Sequence, residues 1–319
     1  MSLYFLKPAL KETIWGGNKL KDEYGFKTDL PNIAEAWMLS GHPDGQSTVI
    51  GGKYDGKNLS DVITDDDLGT HKPENTDDFP VLIKFIDAKR DLSVQVHPDD
   101  KYAAAHEKDV RGKTEAWYII DAEPDAKLIY GFKEKISKQE FEDSINNNTL
   151  LDKVNLVNVK KGDVAFIESG TLHAIGKGIF LAEVQQSCNT TYRVYDYNRP
   201  GKDGKPRELH IKKAVDVTKT EPPKYSLAPK GERTAVGSNF ITLLMECRYF
   251  RSSLLELDGS FTTNADKTSF ISFIVIDGEG FVTACGEKRR FKKGDSILVT
   301  AGSGQVELTG GAEILVTTI

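Results

Sequence analysis

Short apolar runs broken by turn residues dominate the first part of the chain: VLIKFI at 81–86, LSVQVH at 92–97, EAWYII at 115–120, KLIYGF at 127–132, VNLVNV at 154–159 and FLAEVQQ at 180–186. Runs of this length, rich in branched and aromatic residues, predict antiparallel strands in a sandwich or barrel. Helical patches are few. One spans 99–108 after Pro98, and another spans 137–146, where Ser137 with Glu140 forms a capping box. Both read as insertions into a β framework. Residues 219–239, KTEPPKYSLAPKGERTAVGSN, are rich in Pro, Lys, Gly and Ser and precede a fresh set of strand-like runs. We therefore divide the chain into 1–235 and 236–319. A KKGD turn precedes VAFI in the first part and SILV in the second, which suggests a weak internal duplication of one small barrel.

Composition narrows the function classes. The length of 319 residues and an apolar share of 39% suit about two domains with a substantial core. Charged residues make up 28%, both signs are interspersed, and the net charge is -6, so no basic block exists to track a nucleic-acid backbone. No window approaches the ~20 apolar residues of a membrane span, and the N-terminus lacks a leader pattern; a soluble cytoplasmic protein is expected. Cys188, Cys247 and Cys285 are odd in number and widely spaced, which excludes a disulfide framework and a cysteine zinc knuckle. Any metal must use histidines and carboxylates.

Three segments carry ligand-type residues. Strand alternation in LSVQVHPDD puts Ser93, Gln95 and His97 on one face, and Pro98 ends the strand just beyond them. In GKTEAWYII the same arithmetic groups Lys113, Glu115 and Trp117, and in FLAEVQQ it groups Leu181, Glu183 and Gln185. The segment KKGDVAFIESGTLHAIG runs from a turn through a strand into a Gly-rich bend that presents His173. Two imidazoles, a carboxylate and an amide oxygen suit Zn(II), and less well Fe(II), Mn(II) or Co(II). His42, His71, His106 and His210 lack such company. No histidine follows His210, so a site of this type belongs to the first part only.

These pieces resemble the cupin pattern, and within it the type I phosphomannose isomerases in their shorter bacterial form. The resemblance covers nearly the whole chain and rests on ETIWGG at 12–17, AEAWMLSGHPDG at 34–45, FPVLIKFIDAKRDLSVQVHPDD at 79–100, GKTEAWY at 112–118, SGTLHAIG at 169–176 and TTYRVYDYNR at 190–199. It implies two cupin-type jelly-roll barrels, the first with helical insertions. It also implies one zinc per chain on Gln95, His97, Glu115 and His173, and an essential arginine at Arg193. The implied reaction interconverts mannose 6-phosphate and fructose 6-phosphate through a cis-enediolate. Ser93, Lys113 and Arg193 are then candidates for substrate binding. Arg193, Lys113 and Glu183 are candidates for catalysis, with the carbon proton assigned to Lys113 or Glu183 without a choice. Asp196 is placed to orient a nearby cation. A small sugar phosphate is the expected partner, and no nucleic acid, membrane or obligate protein partner is expected. Where members of the family often read P-A-G, this chain has Glu168-Ser169-Gly170. Another metal-dependent cupin isomerase, an iron-dependent oxygenase and a non-catalytic sugar-sensing cupin are the rival readings.

Overall fold

The computed structural model describes residues 1–73, 79–108, 110–201 and 204–319. Its strands form three antiparallel sheets stacked as layers. The six-stranded sheet is central, in the order 164–167, 115–122, 179–186, 81–88, 35–39 and 9–11. Strands Val81–Ala88 and Ile179–Gln186 are buried along their whole length, because both faces of this sheet are covered. That burial explains their nearly continuous apolar sequence.

One face meets the five-stranded sheet, ordered 192–195, 94–96, 173–175, 127–132 and 154–158. Between these two sheets pack Ile86, Trp117, Ile119, Leu128, Ile175 and Leu181. The outer side of the five-stranded sheet is covered by short helices, among them Lys138–Asn146 and Ile211–Val217, through Phe141 and Ala214. Ser137 and Glu140 make the expected capping box. The helix expected at 99–108 is the shorter Asp100–His106, with the Asp99 side chain accepting from the Tyr102 amide.

The other face of the central sheet packs on a nine-stranded sheet built mostly from residues after 232. Leu3–Lys7 and Thr48–Ile50 also belong to that sheet, Leu3–Lys7 being paired to Ser296–Val299. Alternation along the first strand explains its position: Tyr4 and Leu6 enter the core shared with the central sheet, while Leu3 and Phe5 enter a core that the nine-stranded sheet forms by curling on itself. The division drawn at residue 235 falls inside strand Arg233–Val236. The fold is mainly β as expected, but each hydrogen-bonded path has two free ends, so the sheets stack as a cupin-like sandwich and do not close into barrels.

Candidate metal centre and active site

The ligand-type residues converge in the gap between the central and five-stranded sheets. Gln95, on Val94–Val96, lies in register with His173 on one neighbouring strand and Arg193 on the other. His97 follows that strand, and Glu115 begins the strand Glu115–Ala122 on the facing sheet. The inward nitrogens of His97 and His173 and a carboxylate oxygen of Glu115 all lie within 4.8 Å of one another, and all three residues are buried.

Hydrogen bonds fix the state of both imidazoles. His97 Nδ1 lies 2.9 Å from the Thr190 carbonyl, and His173 Nδ1 lies 2.8 Å from the Thr171 carbonyl. A carbonyl only accepts, so each Nδ1 carries the proton and each Nε2 turns a lone pair inward. Burial, reinforced by the nearby Lys113 charge, keeps both rings neutral; His97 lies well below the usual range and His173 is pushed down to about 3. The Trp117 ring meets His173 edge-on at 5.3 Å and holds its plane. The bend before His173 is fixed too. Gly170 donates its amide to the His97 carbonyl at 2.8 Å and accepts from the Lys219 amide at 2.7 Å.

Glu115 lies 3.3 Å from His173 Nε2 and 3.7 Å from His97 Nε2, and its close charged partner is the Lys113 ammonium on Oε2. Burial and the charge of Glu183 raise it to about 7. A buried carboxylate facing two neutral imidazole lone pairs is an arrangement that a divalent cation would compensate. Donor atoms this close together are compatible with a single divalent cation held between them. Gln95 lies next to this group, its amide nitrogen 3.4 Å from His173 Nε2. Turning that amide over presents its oxygen at the same place.

Lys113 Nζ reaches the same cluster, 3.2 Å from His97 Nε2, 2.5 Å from Glu115 Oε2 and 3.9 Å from Glu183 Oε1. Glu183 accepts from Trp117 Nε1 at 2.8 Å and pairs with Lys84 at 3.1 Å. Burial would raise its pKa, yet Lys113 and Lys84 pull it down to about 2. Arg193 is in register with Gln95, and its guanidinium turns to Ser93, donating from Nε to Ser93 Oγ at 3.3 Å and from Nη1 to the Glu208 carbonyl at 3.1 Å. Every site residue expected from sequence therefore lies in one region.

Other members were not foreseen. Lys84 interrupts an apolar strand, pairs with Glu183 and Glu35, and lies over Trp37; its signal was a single cation at an inward position. His210, set aside on sequence grounds, accepts the Arg193 amide on Nδ1 at 3.2 Å. Asp196 holds nearby cations, accepting from Arg199 and Arg207.

The sequence model of the type I phosphomannose isomerase catalytic domain matches residues 3–129, and the mannose-6-phosphate isomerase cupin-domain model matches residues 240–319. A mannose-6-phosphate isomerase of Bacillus subtilis is 41% identical over 312 residues, covering 98% of this chain and 97% of the relative. One from Streptococcus mutans is 35% identical over 317 residues, covering 98% and 96%. The crystal structure of the mannose 6-phosphate isomerase from Bacillus subtilis superposes with a TM-score of 0.91 at 35% identity over all of both chains. On fold, site and sequence together, the chain belongs to the type I phosphomannose isomerase family.

Proposed function

We propose that this chain is a zinc-dependent isomerase interconverting D-mannose 6-phosphate and D-fructose 6-phosphate through a cis-enediolate, with one zinc on Gln95, His97, Glu115 and His173. The observation that carries the reading is the buried His97–Glu115–His173 cluster, with Lys113 in contact with it and Arg193 in register with Gln95 on the neighbouring strand. Family membership supplies the substrate class. The segment 1–235 is proposed to carry the site, and 236–319, which has no histidine, to lack a metal centre.

Bound in this cluster, zinc would supply positive charge where O1 and O2 of the open-chain sugar gather negative charge. The protein's own groups do the rest. Arg193, oriented by Ser93, offers a planar donor fork to the anionic substrate. A chain with net charge -6 repels such an anion at long range, so local cations of this kind must supply affinity. Lys113 is our choice for the group that moves the proton between C2 and C1. It is buried, and its Nζ lies 3.2 Å from His97 Nε2 and 2.5 Å from Glu115 Oε2, at the cluster itself. Glu183 is engaged by Trp117 and Lys84 and held ionised, so we assign it charge balance next to Lys113.

The test is formation of fructose 6-phosphate from mannose 6-phosphate by purified protein, measured in a coupled assay before and after chelation and after adding zinc back. Turnover that is lost on chelation and returns with zinc is expected. Absence of turnover in protein shown to contain stoichiometric zinc would sink the proposal.

A further inference from the structure

The segment between His97 and Glu115 leaves the β framework and returns to it, so something must set where Lys113 comes back. Lys113 donates its own amide to the Pro98 carbonyl at 3.0 Å. On one side of it, Gly112 donates its amide to Asp100 Oδ1 at 2.9 Å. On the other, Thr114 is held by Gln186, whose Oε1 accepts from the Thr114 amide at 2.9 Å and whose amide donates to the Thr114 carbonyl at 3.1 Å. Gln186 Nε2 then donates to the same Asp100 Oδ1 at 2.9 Å. Asp100 is thus bonded, directly or through Gln186, to both neighbours of Lys113. The approach is close: a Cβ on Gly112 would lie 2.5 Å from the Asp100 amide nitrogen and from the Asp99 carbonyl carbon.

The second oxygen of Asp100 faces the other way. Oδ2 accepts from the Tyr249 hydroxyl at 2.6 Å and from Arg248 Nη2 at 2.5 Å. Both donors sit in the turn between strands Asn239–Glu246 and Arg251–Ala265, a hairpin of the nine-stranded sheet. Phe250, next in sequence and fully buried, fixes that turn in the core shared with the central sheet. Burial would raise the Asp100 pKa, but the bonds from Tyr249, Gln186 and Gly112 and the Arg248 charge hold it below the usual range. Arg248 is largely exposed, so its ion pair adds little, and the half-buried tyrosine bond is the firmer link.

We propose that Asp100 is a positioning residue for Lys113, set in turn by Tyr249 and Arg248, so that the C-terminal part of the chain acts on the reaction through this carboxylate. The proposal rests on the role assigned to Lys113 above. Its reach is short, because Lys113 Nζ must meet partners at 2.5 and 3.2 Å, and a displacement of about 1 Å at such a group can cost on the order of a hundredfold in rate.

The experiment uses the full-length, zinc-loaded enzyme with Tyr249→Phe and Arg248→Met combined, and Tyr249→Phe alone as the variant that removes only a hydroxyl should the pair impair folding. Expected are a fall in kcat of about tenfold to a hundredfold with KM and zinc content near wild type, and faster amide exchange at Gly112 and Thr114. Wild-type kcat would overturn the proposal. So would a loss of activity that merely tracks lost zinc or lost folded protein. The exchange measurement separates this proposal from the functional one. If the parent chain shows no isomerase activity, accelerated exchange at 112 and 114 in the variants still supports the positional link, and unchanged exchange overturns it.

Discussion

Lys84 shows what a single buried side chain can decide. It carries its charge against burial because Glu183 and Glu35 outweigh that penalty. Replacing it in Lys84→Met would leave Glu183 with its charge buried and less compensated, a change that costs about 3–5 kcal/mol. The pH dependence comes from Glu183, whose pKa is lowered from 4.5 to about 2 in the fold. A carboxylate depressed in this way contributes stability that is full above its unfolded pKa and is lost as pH falls toward the folded value. The wild type should therefore lose stability between about pH 4.5 and 2, and Lys84→Met should unfold at a higher pH in an acid titration followed by circular dichroism. An unmoved acid midpoint would show that the pair is not coupled. At the metal, His173→Ala should fail to retain zinc on dialysis, whereas Arg193→Ala should keep zinc and lose about 10²–10³-fold in kcat. Normal turnover by Arg193→Ala would remove it from the site. Strand parity and the stop at Pro98 grouped Ser93, Gln95 and His97 on one segment and Lys113, Glu115 and Trp117 on another, and a Gly-rich bend offered His173; that these segments meet was legible only through the family resemblance. Lys84 was not, since one lysine in an apolar run gives no sign of the acids it meets across two strands.

At the scale of elements, the strands were readable and their ends less so. The run 127–132 is a strand over its full length, while 92–97 shrinks to Val94–Val96 and leaves His97 just beyond the strand, before Pro98. The bend before His173 is tightly constrained. Gly170 sits at φ +85, and a Cβ there would lie 2.8 Å from the Val217 carbonyl oxygen. Gly170→Ala should thus destabilise the protein by about 1–3 kcal/mol. It should also weaken zinc retention, because the same glycine is tied to the His97 carbonyl. Thermal unfolding together with zinc content after dialysis tests both parts, and a variant equal to wild type in melting temperature would show that the bend absorbs the side chain. The glycine is visible in the sequence as a turn signal. Its tie to His97 is not, because that contact joins two loops far apart in the chain.

Across the whole molecule, the boundary seen in composition does not separate the packing. The nine-stranded sheet is built mostly from residues after 232, at the end of the linker-like stretch 219–239. Yet Leu3–Lys7 pairs with Ser296–Val299, and one core holds Tyr4, Leu6, Phe85 and Val184 together with Leu244, Phe250, Ile274 and Leu315. Nothing in a local hydrophobic pattern could reveal a pairing between the two ends of the chain. This sharing has a thermodynamic consequence. Residues 1–235 alone would expose the face of the central sheet that the later strands cover, and residues 236–319 alone would lack the strand between Ser296–Val299 and Thr48–Ile50. Apolar surface lost from such a core costs about 25 cal/mol per Å2, enough to exceed the few kcal/mol by which a domain is stable once several large side chains are involved. Calorimetry of the intact chain should give a single cooperative transition whose calorimetric and van't Hoff enthalpies agree. The 1–235 fragment should show no cooperative melt and no native near-ultraviolet signal. Two resolved transitions in the intact chain, or a fragment that melts cooperatively, would mean that the shared core is not what holds the halves together; a single transition would explain how a turn in the C-terminal sheet can keep a lysine at the metal centre in place.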